Sequence, residues 1–220
     1  MDVAYNGTNV KIIGVSGGVS YGPLGGTHTA LHDIASMRAL PNIEIFIPAD
    51  AVETAAVTEY LLAKHGPAYM RTGRGDVEEV YSQGESFDVH KAKTVLEGSD
   101  VTIIACGEMV YFAKEAGLLL KKQGISARVL DLCCLKPADE EAIIQAAKET
   151  KGIVTVEEHS VFGGLGELVC HVVAENAPVK VRVMGFPDAE YKVGKNSELF
   201  SYYGLTPEKI ALEAENILKG

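Results

Sequence analysis

The chain has 220 residues, 47% of them hydrophobic and 23% charged, the proportions of a buried-core protein of one large or two modest domains and not of a disordered segment. A formal net charge of -10 excludes a protein that coats nucleic-acid phosphates, which needs clustered Lys and Arg to displace counterions. No apolar run reaches the length that crosses a bilayer, and residues 1–15 lack the basic start and apolar core of a signal peptide, so no membrane partner is expected and the default location is the cytoplasm.

In chain order, residues 10–15 (VKIIGV) read as a buried strand that stops at a glycine-rich loop, Ser16 to Thr27. In HTALHDIASMRAL, Ala30, Leu31, Ile34, Ala35 and Leu40 recur at helical spacing until Pro41-Asn42. IEIFIP at 43–48 predicts a second strand, Asp50 the N-cap of a helix over 51–64, and Ala68 to Arg71 a third strand. Between Gly73 and Gly98 the periodicity weakens while glycine and charge rise, which predicts a linker with a hairpin inside 87–96.

Beyond Ser99 the pattern is regular: VTIIAC, a helix over 109–123 closed by Gly124, ISARVLDL, a helix over 138–150, then GIVTVEE. A fourth strand, VKVRVMG at 179–185, and a helix over 206–218 opened by Thr206-Pro207-Glu208 follow. Alternating strands and helices of these lengths imply right-handed crossovers and a mainly parallel sheet. The fold class is therefore α/β. The expected division is part of one α/β domain in 1–80, a linker at 81–98 and a second, complete α/β domain in 99–220.

The cysteines, Cys106, Cys133, Cys134 and Cys170, form no CxxC pair and no zinc-site spacing, so reduced and mostly buried thiols are expected, with Cys133 and Cys134 at a strand end. The most informative segment is SYGPLGGTH, Ser20 to His28. Its glycines at 22, 25 and 26 let the backbone approach a ligand, and His28 stands where the next helix is expected to begin. An imidazole there suits proton transfer or a hydrogen bond to a hydroxyl, and it equally suits a plain turn with a capping histidine.

The string GGTHTALHDIASMRALPNIEIFIPADAVETAA resembles the pyrimidine-binding domain of transketolases, with its G-x-T-H-Q loop, R-x-[IL]-P-N and P-A-D-x-x-E. MRTGR at 70–74, ARVLDLCCLKPADEEAI, GIVTVEEHSVFGGLGELV and KVRVMGFPD resemble later segments of the same family, so the likeness runs from about residue 10 to the end. It implies a dimer of multi-domain chains that hold thiamine diphosphate and Mg between protomers and move a two-carbon ketol unit between sugar phosphates, with the cofactor as electron sink. By its place in the motif, His28 resembles the histidine that meets the donor's first hydroxyl beside the cofactor's thiazolium. Arg74 resembles the arginine that pairs with the substrate's terminal phosphate.

Departures from the family stand at substrate-contacting positions. Pro23-Leu24 replace an acidic pair whose aspartate reads the donor's hydroxyls, so Leu24 stands at a substrate position, and Ser16 stands where a phosphate-contacting histidine is common. The family's G-I-A-E-Q segment, whose Glu activates the cofactor, is absent, as are the diphosphate-binding domain and its metal ligands. The expectations are that the chain alone is inactive, self-associates and needs an N-terminal transketolase polypeptide. Alternatives are a non-catalytic dimerisation or regulatory module, or part of a deoxyxylulose-phosphate synthase or a 2-oxo-acid dehydrogenase beta chain; R-A-L-P-N with P-A-D-A-V-E-T favours transketolase over the last two. His159 in VEEHSVFGGLGE reads as structural or interfacial, and GGLGE as close backbone packing and not a dinucleotide fingerprint. His32, His65, His90 and His171 carry no partner pattern.

Overall fold

The computed structural model describes residues 1–220, whose strands form two sheets. After a one-turn helix α1 (Asp2–Tyr5), the first sheet is built from β1 (Lys11–Gly14), β2 (Glu44–Phe46) and β3 (Ala68–Arg71), parallel in the order β1-β3-β2. Each strand is a short apolar run cut off by glycine, proline or charge, which limits its pairing to three or four residues. Between them lie α2 (Asp33–Arg38) and α3 (Ala51–Ala63). Asp50 caps α3 as its sequence predicts, accepting the Glu53 N–H at 2.9 Å. The α2 helix is shorter than its spacing predicts, because the chain ahead of it makes two 3-10 turns, Gly22–Leu24 and Gly26–His28. His28 therefore ends a turn of its own and does not open the helix.

The second sheet has the order β4-β6-β5-β8-β9, from β4 (Lys93–Leu96), β5 (Val101–Ala105), β6 (Ala127–Asp131), β8 (Gly152–Ser160) and β9 (Lys180–Phe186). All its pairings are parallel except that of β4 with β6. Residues 87–96 thus hold one edge strand and not the expected hairpin. The helices are α4 (Met109–Lys122), α5 (Glu140–Glu149), α6 (Leu165–Asn176), α7 (Asn196–Tyr203) and α8 (Pro207–Lys219). Gly124 follows α4 with φ +82°, and Thr206 caps α8, as the sequence predicts. No helix is long and apolar enough to cross a membrane.

The two sheets share a buried cluster, and the first takes its last strand from the chain that follows β6. Cys133-Cys134 do not merely end a strand: β7 (Cys134–Lys136) crosses over and pairs antiparallel with β2, Phe46 opposite Cys134. Ile34, Ile45 and Tyr69 lie in one buried cluster with Ile104, Leu130 and Val169 of the second sheet's layers. Burying a side chain of this size contributes roughly 1.5–3 kcal/mol, so the shared cluster holds the sheets in a fixed relation. The outer edge of β1 pairs with nothing in this chain, and Val10, Ile13 and Val15 beside it are exposed.

Candidate functional site

Gly14 of β1 lies opposite Arg71 of β3, so the loops that leave both strands start side by side. They are tied there: Thr72 N–H donates to Gly14 O at 2.9 Å and Gly17 N–H to Thr72 O at 3.0 Å. Crevices outside the carboxyl ends of parallel strands are where open α/β sheets receive ligands. The first loop carries Ser16, Leu24 and His28, the second Arg74.

The structure brings two of these residues together through a third. The Arg74 guanidinium carbon lies 4.3 Å from the centroid of the Tyr21 ring, and the His28 ring meets Tyr21 edge-on with 6.4 Å between centroids. The Thr27 hydroxyl is 3.0 Å from His28 Nδ1. His28 and Arg74 are both exposed, and Arg74 makes no ion pair, with Asp76, Glu78 or any other carboxylate. Leu24 is 57% exposed at the end of the first 3-10 turn. Ser16 is half-buried with φ 65°, a left-handed backbone that a residue other than glycine holds at a cost of roughly 1–3 kcal/mol. The Leu24 N–H donates to the Tyr21 carbonyl at 2.8 Å, whereas no hydrogen bond or ring contact joins Ser16 to the His28–Tyr21–Arg74 group.

Behind this rim stands a buried frame. Arg71, 5% exposed, reaches Asp33 Oδ1 at 3.3 Å and Glu158 Oε2 at 3.8 Å, and donates to Glu158 O at 3.1 Å. Asp33 also accepts from the Tyr69 hydroxyl at 2.6 Å. The Glu158 carboxylate accepts the Val19 N–H at 2.7 Å, and a Cβ at Gly18 would fall inside that carboxylate, so only glycine lets the loop close on it. His159 is fully buried: Nδ1–H donates to Ser160 O at 2.8 Å, leaving Nε2 to accept the Ala35 N–H of α2 at 3.3 Å. Glu157 accepts from the N–H groups of Leu165 and Gly166 at 2.7 and 2.8 Å, where α6 begins. Glycines at 163, 164 and 166 pack so closely against Ala35, Glu157 and Val183 that a Cβ at any of them would collide, which bears out the reading of GGLGE as backbone packing.

Burial sets the charges of this frame. It works against the Arg71 charge, but Asp33 and Glu158 outweigh it and hold the guanidinium charged more firmly than an ordinary arginine. Burial, and next the neighbouring Glu108 carboxyl, push Glu158 well above the carboxylate range, and burial raises Glu108 too. Glu108 Oε1 is buried without a hydrogen-bond partner. Burial pushes Glu157 up to about 7 against its two N–H donors and lowers His159 to about 4.

A cavity of about 700 Å³ opens between the chain after β3 and the turn that leads from β2 into α3, with Arg71, Asp50, Asp76, Glu79, Glu108 and Glu158 as its charged lining. Its one cation is already held by Asp33 and Glu158, so the lining repels a diphosphate. No group of three or more His, Cys, Asp or Glu in the chain is arranged to hold a metal ion. The residues present do not fit the diphosphate and metal of thiamine diphosphate.

The sequence reading missed Tyr21, Arg71, Glu157 and Glu158. For the carboxylates there was a signal, since VTVEEHS sets three ionisable residues at the end of a strand buried along all nine positions. His32, without an evident partner in the sequence, lies 3.1 Å from the Tyr191 hydroxyl, and His90 packs against Tyr60 at 4.9 Å between ring centroids.

Comparison with known proteins places the chain. The family model for the transketolase pyrimidine binding domain matches residues 1–79, and that for the transketolase C-terminal domain matches residues 90–210. One subunit of the apulose-4-phosphate transketolase of Phocaeicola vulgatus is 50% identical over 220 residues, all of this chain and 70% of that relative. The 6-deoxy-6-sulfo-D-fructose transketolase subunit SqwH of a Clostridium species is 38% identical over 99% of this chain and 67% of its own length. A solved structure described as a split gene transketolase, inactive beta4 tetramer, superposes with a TM-score of 0.88 at 38% identity, over 99% of this chain and 69% of that one. The chain thus spans about two thirds of the length of these relatives. With both family models matched in order and half of all residues identical to a transketolase subunit, the chain belongs to the transketolase family.

Proposed function

We propose that this chain provides the pyrimidine-binding and C-terminal domains of a split transketolase, with 1–80 as the first domain and the second opening at β4 (Lys93–Leu96), inside the stretch 81–98 expected to be the linker. A separate N-terminal polypeptide supplies the diphosphate-binding domain, and thiamine diphosphate with Mg is held only in the assembled enzyme. The reaction is transfer of a two-carbon ketol unit between sugar phosphates. When bound, the cofactor supplies the electron sink that makes the carbon–carbon bond breakable. This chain's residues do the rest: His28 hydrogen-bonds the donor hydroxyl beside the reacting centre, Arg74 takes the terminal phosphate, and Ser16 and Leu24 border the substrate.

The observation that carries this reading is the contact of Tyr21 with both His28 and Arg74, which sets an imidazole and an unpaired guanidinium on one rim at the carboxyl ends of parallel strands. A hydroxyl-binding group and a phosphate-binding group at one mouth suit a phosphorylated polyol. The acidic cavity behind the rim, which repels a diphosphate, supports the need for a second polypeptide. The relatives described as subunits support the split, and the one described as an inactive beta4 tetramer supports self-association of the chain alone.

The test is reconstitution. Ketol transfer is expected when the chain is mixed with an N-terminal transketolase polypeptide, thiamine diphosphate and Mg, and absent when any of the three is omitted. A mixture that binds cofactor but transfers nothing would favour a regulatory module; transfer by the chain alone would contradict the split.

A further inference from the structure

We propose that Tyr21 is a positioning residue that presents the Arg74 guanidinium to an anionic group of the substrate and fixes where that group lies relative to His28; the role rests on the ketol-transfer reading above. Arg74 has little else to hold it. It sits between Gly73 and Gly75, in a stretch without helix or strand, and a Cβ at either glycine would meet nothing within 4 Å. Free of carboxylate partners, an arginine in such a loop samples many rotamers, and ordering it on substrate costs affinity. The Tyr21 ring face, 4.3 Å away, removes part of that cost in advance. Stacking uses the flat face of the guanidinium and leaves its N–H edge free, the edge that forms paired hydrogen bonds to phosphate.

Tyr21 itself is fixed from both sides. On one side, Val19 N–H is bound by the Glu158 carboxylate. On the other, a Cβ at Gly22 would collide with Gly194 O and the Leu199 side chain, so the turn is seated on the segment before α7. The Tyr21 carbonyl accepts the Leu24 N–H at 2.8 Å, which closes the turn. The ring therefore takes its place from the buried frame and offers its face to Arg74.

The test compares Tyr21→Phe, which keeps the ring face, with Tyr21→Leu, which removes it at similar bulk. In the full chain, the Arg74 Nε–Hε proton resonance is expected to be shifted upfield by the ring in wild type and Tyr21→Phe, and to return to the free-arginine position in Tyr21→Leu. Titrated inorganic phosphate should move that resonance in all three, with a midpoint about two- to fivefold higher in Tyr21→Leu, the population effect of one exposed cation–π contact. In the reconstituted enzyme, Tyr21→Leu should raise KM for phosphorylated acceptors by the same factor with kcat unchanged, and add nothing to Arg74→Ala. The role is overturned if Tyr21→Leu leaves the resonance and the midpoint as in wild type, or if Tyr21→Phe loses as much as Tyr21→Leu. The role is also overturned if Tyr21→Leu depresses kcat for every acceptor. An enzyme that transfers no ketol while the resonance and titration behave as expected contradicts the function proposed above and leaves the anion-presenting role standing.

Discussion

The rim and the frame sit a few residues apart and are built on opposite principles. Arg71 and Arg74 are separated by three positions, yet Arg71 is buried and held by Asp33, Glu158 and a backbone carbonyl, whereas Arg74 is exposed and touches one ring face. A buried guanidinium without partners would be intolerable, so Arg71 spends its hydrogen bonds inside the protein. An exposed one loses nothing by keeping its N–H groups free, and free groups are what a ligand needs. The difference teaches that residues three positions apart, one ending β3 and one in the loop after it, can be fixed by burial or left free at the surface.

Substitution should separate the two. Arg71→Met leaves the half-buried Asp33 and the buried Glu158 without their cation, an effect of about 3–5 kcal/mol, large against the 5–15 kcal/mol of an ordinary domain. Urea unfolding is expected to show that loss; a midpoint within error of wild type would mean the frame is not held by charge. His28→Ala should instead leave the unfolding midpoint unchanged while lowering turnover of the reconstituted enzyme by roughly ten- to a hundredfold with every acceptor, the worth of one hydrogen bond to a reacting group. Steady-state rates with two acceptors check this.

Asp50 is intermediate between the two regions, being buried but set at the loop that leads away from Arg74. It caps α3 and also accepts the Val80 and Tyr81 N–H groups, each at 2.9 Å. Asp50→Ala should cost about 1–2 kcal/mol and admit protease between Gly73 and Gly84 sooner than in wild type. Cleavage appearing first inside 101–131 would contradict that anchoring.

The pH dependence comes from buried groups, Glu157 and His159 of the frame and Glu53 in the first turn of α3. Glu157 and Glu53 are each raised by burial from 4.5 to about 7, so the unfolded chain releases their protons first. Their stabilising contribution is full below about pH 4.5 and falls as pH rises to 7. His159 runs the other way, because burial lowers it from 6.5 to about 4: its contribution is full above 6.5 and is lost as pH falls to 4. Unfolding free energy should therefore decline gently from about pH 5 to about pH 7.5, and decline more steeply in His159→Gln, where the opposing contribution is gone. An unchanged slope in that variant would mean His159 is not held neutral.

The same division explains what the sequence disclosed. Strands and helices carried by local periodicity, such as β5, α3 and α8 with its Thr206 cap, stand within a residue or two of where the pattern puts them. What depended on distant partners was not legible: β7 is three residues that pair only because β2 lies beside them, and β4 takes its antiparallel partner from β6 and not from a hairpin. The glycines of GGLGE disguise α6, and a polar start disguises α7. Of the rim, His28 and Arg74 stand out by motif, while Tyr21 is invisible until the chain folds its face toward Arg74. The frame residues Arg71 and Glu158 lie 87 positions apart and meet only across the join of the two sheets.

The central claim, that the rim recognises substrate while the frame supplies stability, is tested most directly by Arg74→Ala in the reconstituted enzyme, measured as kcat/KM with phosphorylated and unphosphorylated acceptors beside its thermal unfolding. A charge-assisted contact of about 1.5–3 kcal/mol predicts a ten- to hundredfold loss for phosphorylated acceptors, little change for the others and an unfolding temperature like that of wild type. Equal losses with both acceptors, accompanied by a lower unfolding temperature, would contradict it and make Arg74 part of the frame.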